Sequence, residues 1–449
     1  MQDKTRFSST TSTLQREEQK LLACIHCGLC LEACPTYVIT GDENDGPRGR
    51  LYLMRAVGEG RLPIESPSFE RHIDRCLGCR ACEQVCPAGV EYGQLLEAAR
   101  ADLFTSRQQS GFSYYALRFA LKHIWLQPAH LRFVFAVARL LRDSGLAGVL
   151  MKIGLARLLS RRFEFALALL QSSRPENRAR LRADDKLENP TPSAAEPATV
   201  AASSAMLFSG CVGEGLFSRV NQATVRVLKA NGVEINIPDK QVCCGALHAH
   251  AGDLEGAKML AQKNIKAFSS AEDVPVVTNA GGCGAMLATY GHLLDGDETF
   301  AVAARKFSER IRDVSQQLKA VGYKRGSGGT DETVTYDASC HLLYGQHAGE
   351  APLEMLAGIS NLDFRRLEGS ERCCGGAGIY NLLEPDLSRE VLAEKLANIQ
   401  ASGATILATG NPGCQMQIGA GAFLAGMKLQ TCHPVELLDE SYRRSGLYQ

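Results

Sequence analysis

Residues 24–35 read CIHCGLCLEACP and residues 76–87 read CLGCRACEQVCP, two copies of the pattern C-x-x-C-x-x-C-x-x-x-C-P. Three cysteines spaced by two residues let a short backbone stretch wrap one face of a [4Fe-4S] cube, with N–H groups turned towards its sulfides. The proline then turns the chain away. Gly28 and Gly78 allow close backbone approach. Zinc is the competing reading of paired C-x-x-C units, but it has no use for the third closely spaced cysteine or the trailing proline.

In two-cluster ferredoxins the fourth cysteine of each run crosses to the other cluster. On that pattern Cys24, Cys27, Cys30 and Cys86 hold one [4Fe-4S] cluster, and Cys76, Cys79, Cys82 and Cys34 hold the second. The crossing keeps the cubes close enough for electron hopping, which a relay needs and a structural metal site does not. His26 lies inside the first run and reads as a hydrogen-bonding neighbour that tunes potential, not as an iron ligand.

The rest of the 449 residues is long enough for two or three domains. The expected fold is α+β and multidomain: a helical ferredoxin-type domain over 1–106, a basic amphipathic helical segment over 107–170, a linker over 171–204, and two α/β repeats with parallel sheets over 205–325 and 326–449. Forty-nine basic and forty-nine acidic side chains cancel, which argues against a nucleic-acid binder. Seventeen cysteines behind a polar N-terminus without a signal-peptide core imply reduced thiols in the cytoplasm, used as ligands. The charge-free runs 274–294 and 401–427 are broken by turn residues, so no spanning helix is expected.

Residues 111–170 carry nine Lys/Arg against two Asp/Glu, with apolar residues such as Leu131, Phe135, Val137, Leu140 and Leu141 at helical spacing. This predicts a basic amphipathic hairpin, packed on the body of the protein or docked to anionic lipid or an acidic partner.

After residue 205 the cysteines repeat with a period near 130: Cys211 precedes Cys340 by 129, Cys243 and Cys244 precede Cys373 and Cys374 by 130, and Cys283 precedes Cys414 by 131. Strands are expected at 205–209, 233–237 and 274–278, then at 333–336, 362–367 and 404–408, so the cysteines fall just after strands, where ligands gather in parallel sheets. Each set ends its Cys-Cys pair with Gly245 or Gly375, which permits the sharp turn that faces both thiols to one centre. Two sets of four thiols suit one or two further iron-sulfur clusters. Buried free cysteines and a redox-active vicinal pair are the alternatives. Cys432 falls outside the register and, with His433, reads as a core or interface residue. His248 and His341 read as hydrogen-bonding neighbours of these sites.

No dinucleotide fingerprint and no Walker loop occur, so this chain is expected to carry no flavin and to take its electrons from a flavoprotein partner. The whole chain resembles the iron-sulfur subunit of bacterial glycolate oxidase (glycolate dehydrogenase). The resemblance rests on residues 24–37 (CIHCGLCLEACPTY), 45–53 (DGPRGRLYL), 75–92 (RCLGCRACEQVCPAGVEY), 373–380 (CCGGAGIY) and 413–415. It implies an electron-transfer subunit beside FAD-binding subunits that oxidise glycolate, with quinone as acceptor, peripheral placement at the cytoplasmic face of the inner membrane, and no catalytic residue on this chain. Lactate-utilisation proteins and the small subunit of anaerobic glycerol-3-phosphate dehydrogenase use the same modules. A self-contained disulfide or quinone reductase acting at the Cys-Cys-Gly sites is the rival. Related heterodisulfide reductase subunits can carry a further cysteine where this chain has Ala280 and Asn411. That argues against five-thiolate clusters and leaves a four-thiolate version.

Overall fold

The computed structural model describes residues 12–106, 112–174, 203–328 and 330–448. The N-terminal region is all helical. Prolines open the helices Pro35–Thr40, Pro47–Gly58 and Pro67–Asp74, where a missing N–H costs nothing, and the helix Tyr92–Ser106 closes the module. Its small core joins Met54, Phe69, Ile73, Leu95 and Leu103 to Cys76 and Cys82. A buried polar knot backs this core. Asp45 meets His72 Nδ1 and Arg75 Nη1, each at 2.8 Å, and Arg50 Nη2 at 3.7 Å. Gly49 is required here, since a Cβ would stand 2.1 Å from the Glu43 carbonyl.

The segment expected to be a hairpin is instead a succession of short helices, chiefly Pro128–Asp143, Leu146–Lys152, Leu155–Leu159 and Arg161–Ser172. Pro128 starts one of them, while Gly145 and Gly154, at φ 77° and 75°, break the run between the others. The helix Pro128–Asp143 packs on Cys211–Ala230 and Arg161–Ser172 packs on Pro412–Leu424; the two short helices between them ride outside. Most of the predicted linker, residues 175–202, lies outside the described residues.

Two parallel sheets follow, built alike. The first contains β1 (Ser203–Phe208), β2 (Val233–Asn236), β3 (Val276–Thr278) and β4 (Ile311–Asp313) in the order β2-β1-β3-β4. The second contains β5 (Thr330–Asp337), β6 (Leu362–Arg365), β7 (Ile406–Thr409) and β8 (Gln430–Cys432) in the order β6-β5-β7-β8. Leu207 registers with Val277 in one and Tyr336 with Ala408 in the other. The repeats share one core, with Val220, Val227 and Leu318 from the first against Met355, Val435 and Leu438 from the second. Arg226 clamps Asp439 through two 2.8 Å hydrogen bonds across this junction. Cys432 ends β8 in that core, and His433 caps the last helix by accepting the Val435 N–H at 3.0 Å.

Candidate metal centres

The fold gathers the sixteen motif cysteines into four groups. Cys24, Cys27, Cys30 and Cys86 line one cavity beside Pro87, with Cys82 on its inner wall. Cys27 is exposed and the other three are half-buried, so this site rims the surface. Cys82 is buried next to Cys79, Cys76 and Cys34, which form the second group. The fourth cysteine of each run thus stands with the first three of the other. His26 is exposed in the lining of the first cavity, and its carbonyl accepts from Arg48 Nη1 at 3.2 Å.

The second group has a cation the motif did not announce. Arg50, fully buried, donates to Cys34 Sγ at 3.9 Å, to the His72 carbonyl at 2.6 Å and to Thr36 Oγ1 at 3.1 Å. Burial works against its charge, but the facing Cys76, Tyr92, Cys34 and Asp45 outweigh this and hold its pKa above the ordinary arginine value. Its place in DGPRGRLYL was the available signal.

In each repeat the cysteines sit at the carboxyl ends of the strands. Cys211 opens the helix after β1, Cys243 and Cys244 follow β2, and Cys283 lies in the helix Gly281–Ala288 after β3. Cys211 and Cys243 sulfurs are 3.4 Å apart. In the second repeat Cys340 precedes a π-turn at His341–Gly345, Cys373 and Cys374 follow β6, and Cys414 lies in the helix Pro412–Leu424. Cys374 and Cys414 sulfurs are 3.2 Å apart. Gly245 and Gly375 take φ 90° and 81°, the left-handed turn expected of them.

Three polar side chains adjoin the second-repeat site, of which Asn411 and Lys395 were not foreseen as hydrogen-bonding neighbours and His341 was. Asn411 Nδ2 donates to Cys414 Sγ at 3.4 Å, while its Oδ1 accepts the Gly282 N–H of the first repeat at 3.1 Å. Lys395 Nζ pairs with Asp337 at 2.7 Å, both almost completely buried, and also donates to the Gly369 carbonyl at 2.7 Å. His341 Nε2 meets the Gly78 carbonyl at 3.1 Å, a hydrogen bond between the N-terminal module and the second repeat. His248 is buried against Asp253 at 2.8 Å.

The donor chemistry fits iron. Burial pushes the Cys79 and Cys82 thiols far above their ordinary range, and close neighbouring thiols together with burial do the same to Cys211, Cys373, Cys374 and Cys414. Cys340 rises to about 11, because burial and the surrounding thiols outweigh the favourable contact with Cys373. Thiols so placed ionise together only beside strong positive charge, which iron ions supply. Cys373 shares a buried cluster with Leu77, Tyr380 and Val391, against which Cys79 and Cys340 pack, so the second group and the second-repeat site adjoin.

Comparison with known proteins gives the same division. A 4Fe-4S dicluster domain matches residues 23–90, and a cysteine-rich domain matches twice, at 205–288 and 334–419. The chain is 36% identical over 430 residues to a probable glycolate oxidase iron-sulfur subunit of Bacillus subtilis, covering 95% of each chain. It is 30% identical over 431 residues to the glycolate oxidase iron-sulfur subunit of Escherichia coli, covering 94% of this chain and 95% of that one.

The chain belongs to the family of glycolate oxidase iron-sulfur subunits.

Lactate utilization protein A of Oceanobacillus iheyensis is 32% identical over 242 residues, 54% of this chain and 98% of its own length. As a member of the glycolate oxidase iron-sulfur family, the protein is an iron-sulfur, electron-transferring component of an oxidoreductase complex. No helix among the described residues is long and apolar enough to cross a membrane.

Proposed function

We propose that this chain receives electrons from an FAD-binding partner that oxidises glycolate and passes them through two [4Fe-4S] clusters towards quinone at the membrane surface. The clusters are those of Cys24, Cys27, Cys30 and Cys86, and of Cys76, Cys79, Cys82 and Cys34, with Cys211, Cys243, Cys244 and Cys283 and Cys340, Cys373, Cys374 and Cys414 holding further ones. The observation that carries the reading is contiguity. The first group opens at the surface through exposed Cys27, the second is buried behind it, and Cys79 of the second packs in one apolar cluster with Cys373 and Cys340. Electrons enter at one end of such a chain of thiol sites and are passed inwards without crossing solvent.

Ile25 and Leu29, 69% and 60% exposed, flank Cys27 and form the apolar rim on which a flavoprotein would dock. Bound clusters supply one-electron storage; the chain contributes their spacing, their burial and the charges around them. Glycolate is preferred over lactate because the glycolate oxidase relatives match along nearly the whole chain, whereas the lactate utilization relative covers about half of it.

The test is anaerobic purification of the chain alone. It should hold about eight irons for the two N-terminal cubes, more if the repeats are filled, show reducible cluster spectra, and oxidise no glycolate until the flavoprotein partners are added. Glycolate oxidation by the lone chain, or zinc in place of iron, would refute it.

A further inference from the structure

We infer that a lipid quinone binds in a cavity of about 430 Å³ between the helix Pro128–Asp143 and the cysteine site of the first repeat. This deepens the relay reading, on which its electron supply rests, by placing the acceptor. Cys211 and Cys243 form part of the cavity wall. Trp125, Leu131 and Phe135 supply apolar lining of the kind a quinone ring needs, with Arg132 and Arg139 beside them. Phe135 lies so close to the backbone of Gly215 that any Cβ there would meet its ring at 2.5 Å. The indole N–H of Trp125 is buried without a hydrogen-bond partner among the described residues, a donor available to a ring carbonyl.

The outer surface of the same helical segment supplies the route. Of twenty-six exposed large apolar side chains among the described residues, thirteen lie between Tyr115 and Phe163. On Pro128–Asp143 they are Phe133, Val134, Val137 and Leu140, of which Phe133, Val137 and Leu140 share one face; Leu146 and Val149 follow on the helix Leu146–Lys152, with Ile153 at its C-cap. Within residues 111–170 nine Lys/Arg oppose two Asp/Glu, in a chain whose total charge is zero. A basic surface with an apolar stripe is suited to the headgroup region of an anionic bilayer, where quinones with long tails reside. The other large thiol-lined cavity, beside Cys79 and Cys373, is fringed by Glu371, Arg372, Glu394 and Lys395 and has no such surface.

In the step proposed, one quinone takes two electrons, delivered singly from the reduced iron-sulfur centres, and two protons from water, giving one quinol. Glu214 and Asp239, exposed on the cavity rim, are placed to pass those protons.

Trp125 is the only tryptophan of the chain, so indole emission reports on this wall alone. The iron-loaded chain in mild detergent is titrated with a short-tailed ubiquinone. Saturable quenching is expected, and Ile237→Arg on the half-exposed cavity rim should weaken binding at least about ten-fold, equivalent to about 1.4 kcal/mol, without changing iron content. Non-saturating quenching, or equal affinity in the variant, overturns the site. Anaerobic reduction of the clusters by the flavoprotein partner, measured without quinone, is run in parallel. If it fails, the relay reading falls; if it succeeds while quenching does not saturate, only the quinone site falls.

Discussion

Replacing Arg50 by methionine should lower the reduction potential of the cluster held by Cys34, Cys76, Cys79 and Cys82 and leave the other N-terminal cluster nearly unchanged. The guanidinium stands 3.9 Å from Cys34 Sγ and is fully buried, so solvent does not screen it. A unit charge at 4 Å is worth about 4 kcal/mol at an effective dielectric of 20. An added electron spreads over the whole cube, and counting a quarter to a half of it at this edge leaves roughly 1–2 kcal/mol. At about 2.3 kcal/mol per 100 mV this is a drop of roughly 40–90 mV. Asp45 keeps His72 and Arg75 as partners, so the variant does not strand a lone buried carboxylate. Arg50→Lys retains the charge but not the fork to His72 and Thr36, and should recover most of the potential. The assay is an anaerobic potentiometric titration followed by electron paramagnetic resonance, with iron content measured on each variant. A shift below roughly 15 mV at full iron content, or equal shifts in both clusters, would refute the assignment of Arg50 to one cluster.

Other perturbations separate folding from redox chemistry. His433 is buried and its pKa is pressed down by burial to about 4, so the stability carried by its neutral ring is complete above about pH 6.5 and lost as pH falls towards 4. Between pH 7.5 and 5 the native protein should therefore lose roughly 2 kcal/mol more in urea melts than His433→Asn, which keeps a capping side chain. Gly375→Ala forces a side chain into φ 81° with its Cβ 2.7 Å from the Ser388 carbonyl. It should cost roughly 1–3 kcal/mol and deplete iron from the second repeat alone, while Gly245→Ala, with nothing nearer than 3.4 Å, should be milder. Lys395→Met strands Asp337 and should destabilise by roughly 3–5 kcal/mol; adding Asp337→Asn should restore much of it, as thermal melts would register.

What was legible in the sequence was what covalent spacing dictates. Ligands three residues apart must wrap a common centre, so the two N-terminal runs announced their chemistry outright. The 130-residue register of the later cysteines likewise exposed two repeats with cysteines after their strands. Strands β4 and β8 were missed because three residues each, Ile311–Asp313 and Gln430–Cys432, are too short and too polar to show alternation. The hairpin expected over 111–170 dissolved into short helices because apolar periodicity continues through Gly145 and Gly154, and only the backbone shows that it breaks there. Lys395 and the Trp125 cavity were invisible for another reason, since each depends on which segments meet in space; Arg50 stood in the quoted stretch 45–53, but nothing there marks the sulfur it faces.

Asn411 illustrates how a departure from a related pattern acquires meaning only in three dimensions. At the sequence level it is the absence of a fifth thiol, as Ala280 is in the other repeat. In the fold the two positions are not equivalent. Gly281 N–H donates to the Gly410 carbonyl at 2.9 Å, so the turns that carry Cys283 and Cys414 lie back to back, and the Asn411 amide spans them, touching Gly282 on one side and Cys414 Sγ on the other. A thiolate at this position would add negative charge to an already crowded buried site. An amide instead donates to the sulfur, which favours its ionised form, and accepts from the opposite repeat, which fixes the distance between the two cysteine sets. On the relay proposed above, the thiol sites would be used in order from exposed Cys27 through Cys79, Cys373 and Cys414, and across the Asn411 bridge to Cys283 and Cys211. That series ends at the wall of the Trp125 cavity, on the side of the molecule where the apolar and basic helices are. On the relay and quinone site proposed above, a duplicated domain is useful because the second copy would extend the path from the flavoprotein entrance to the quinone exit.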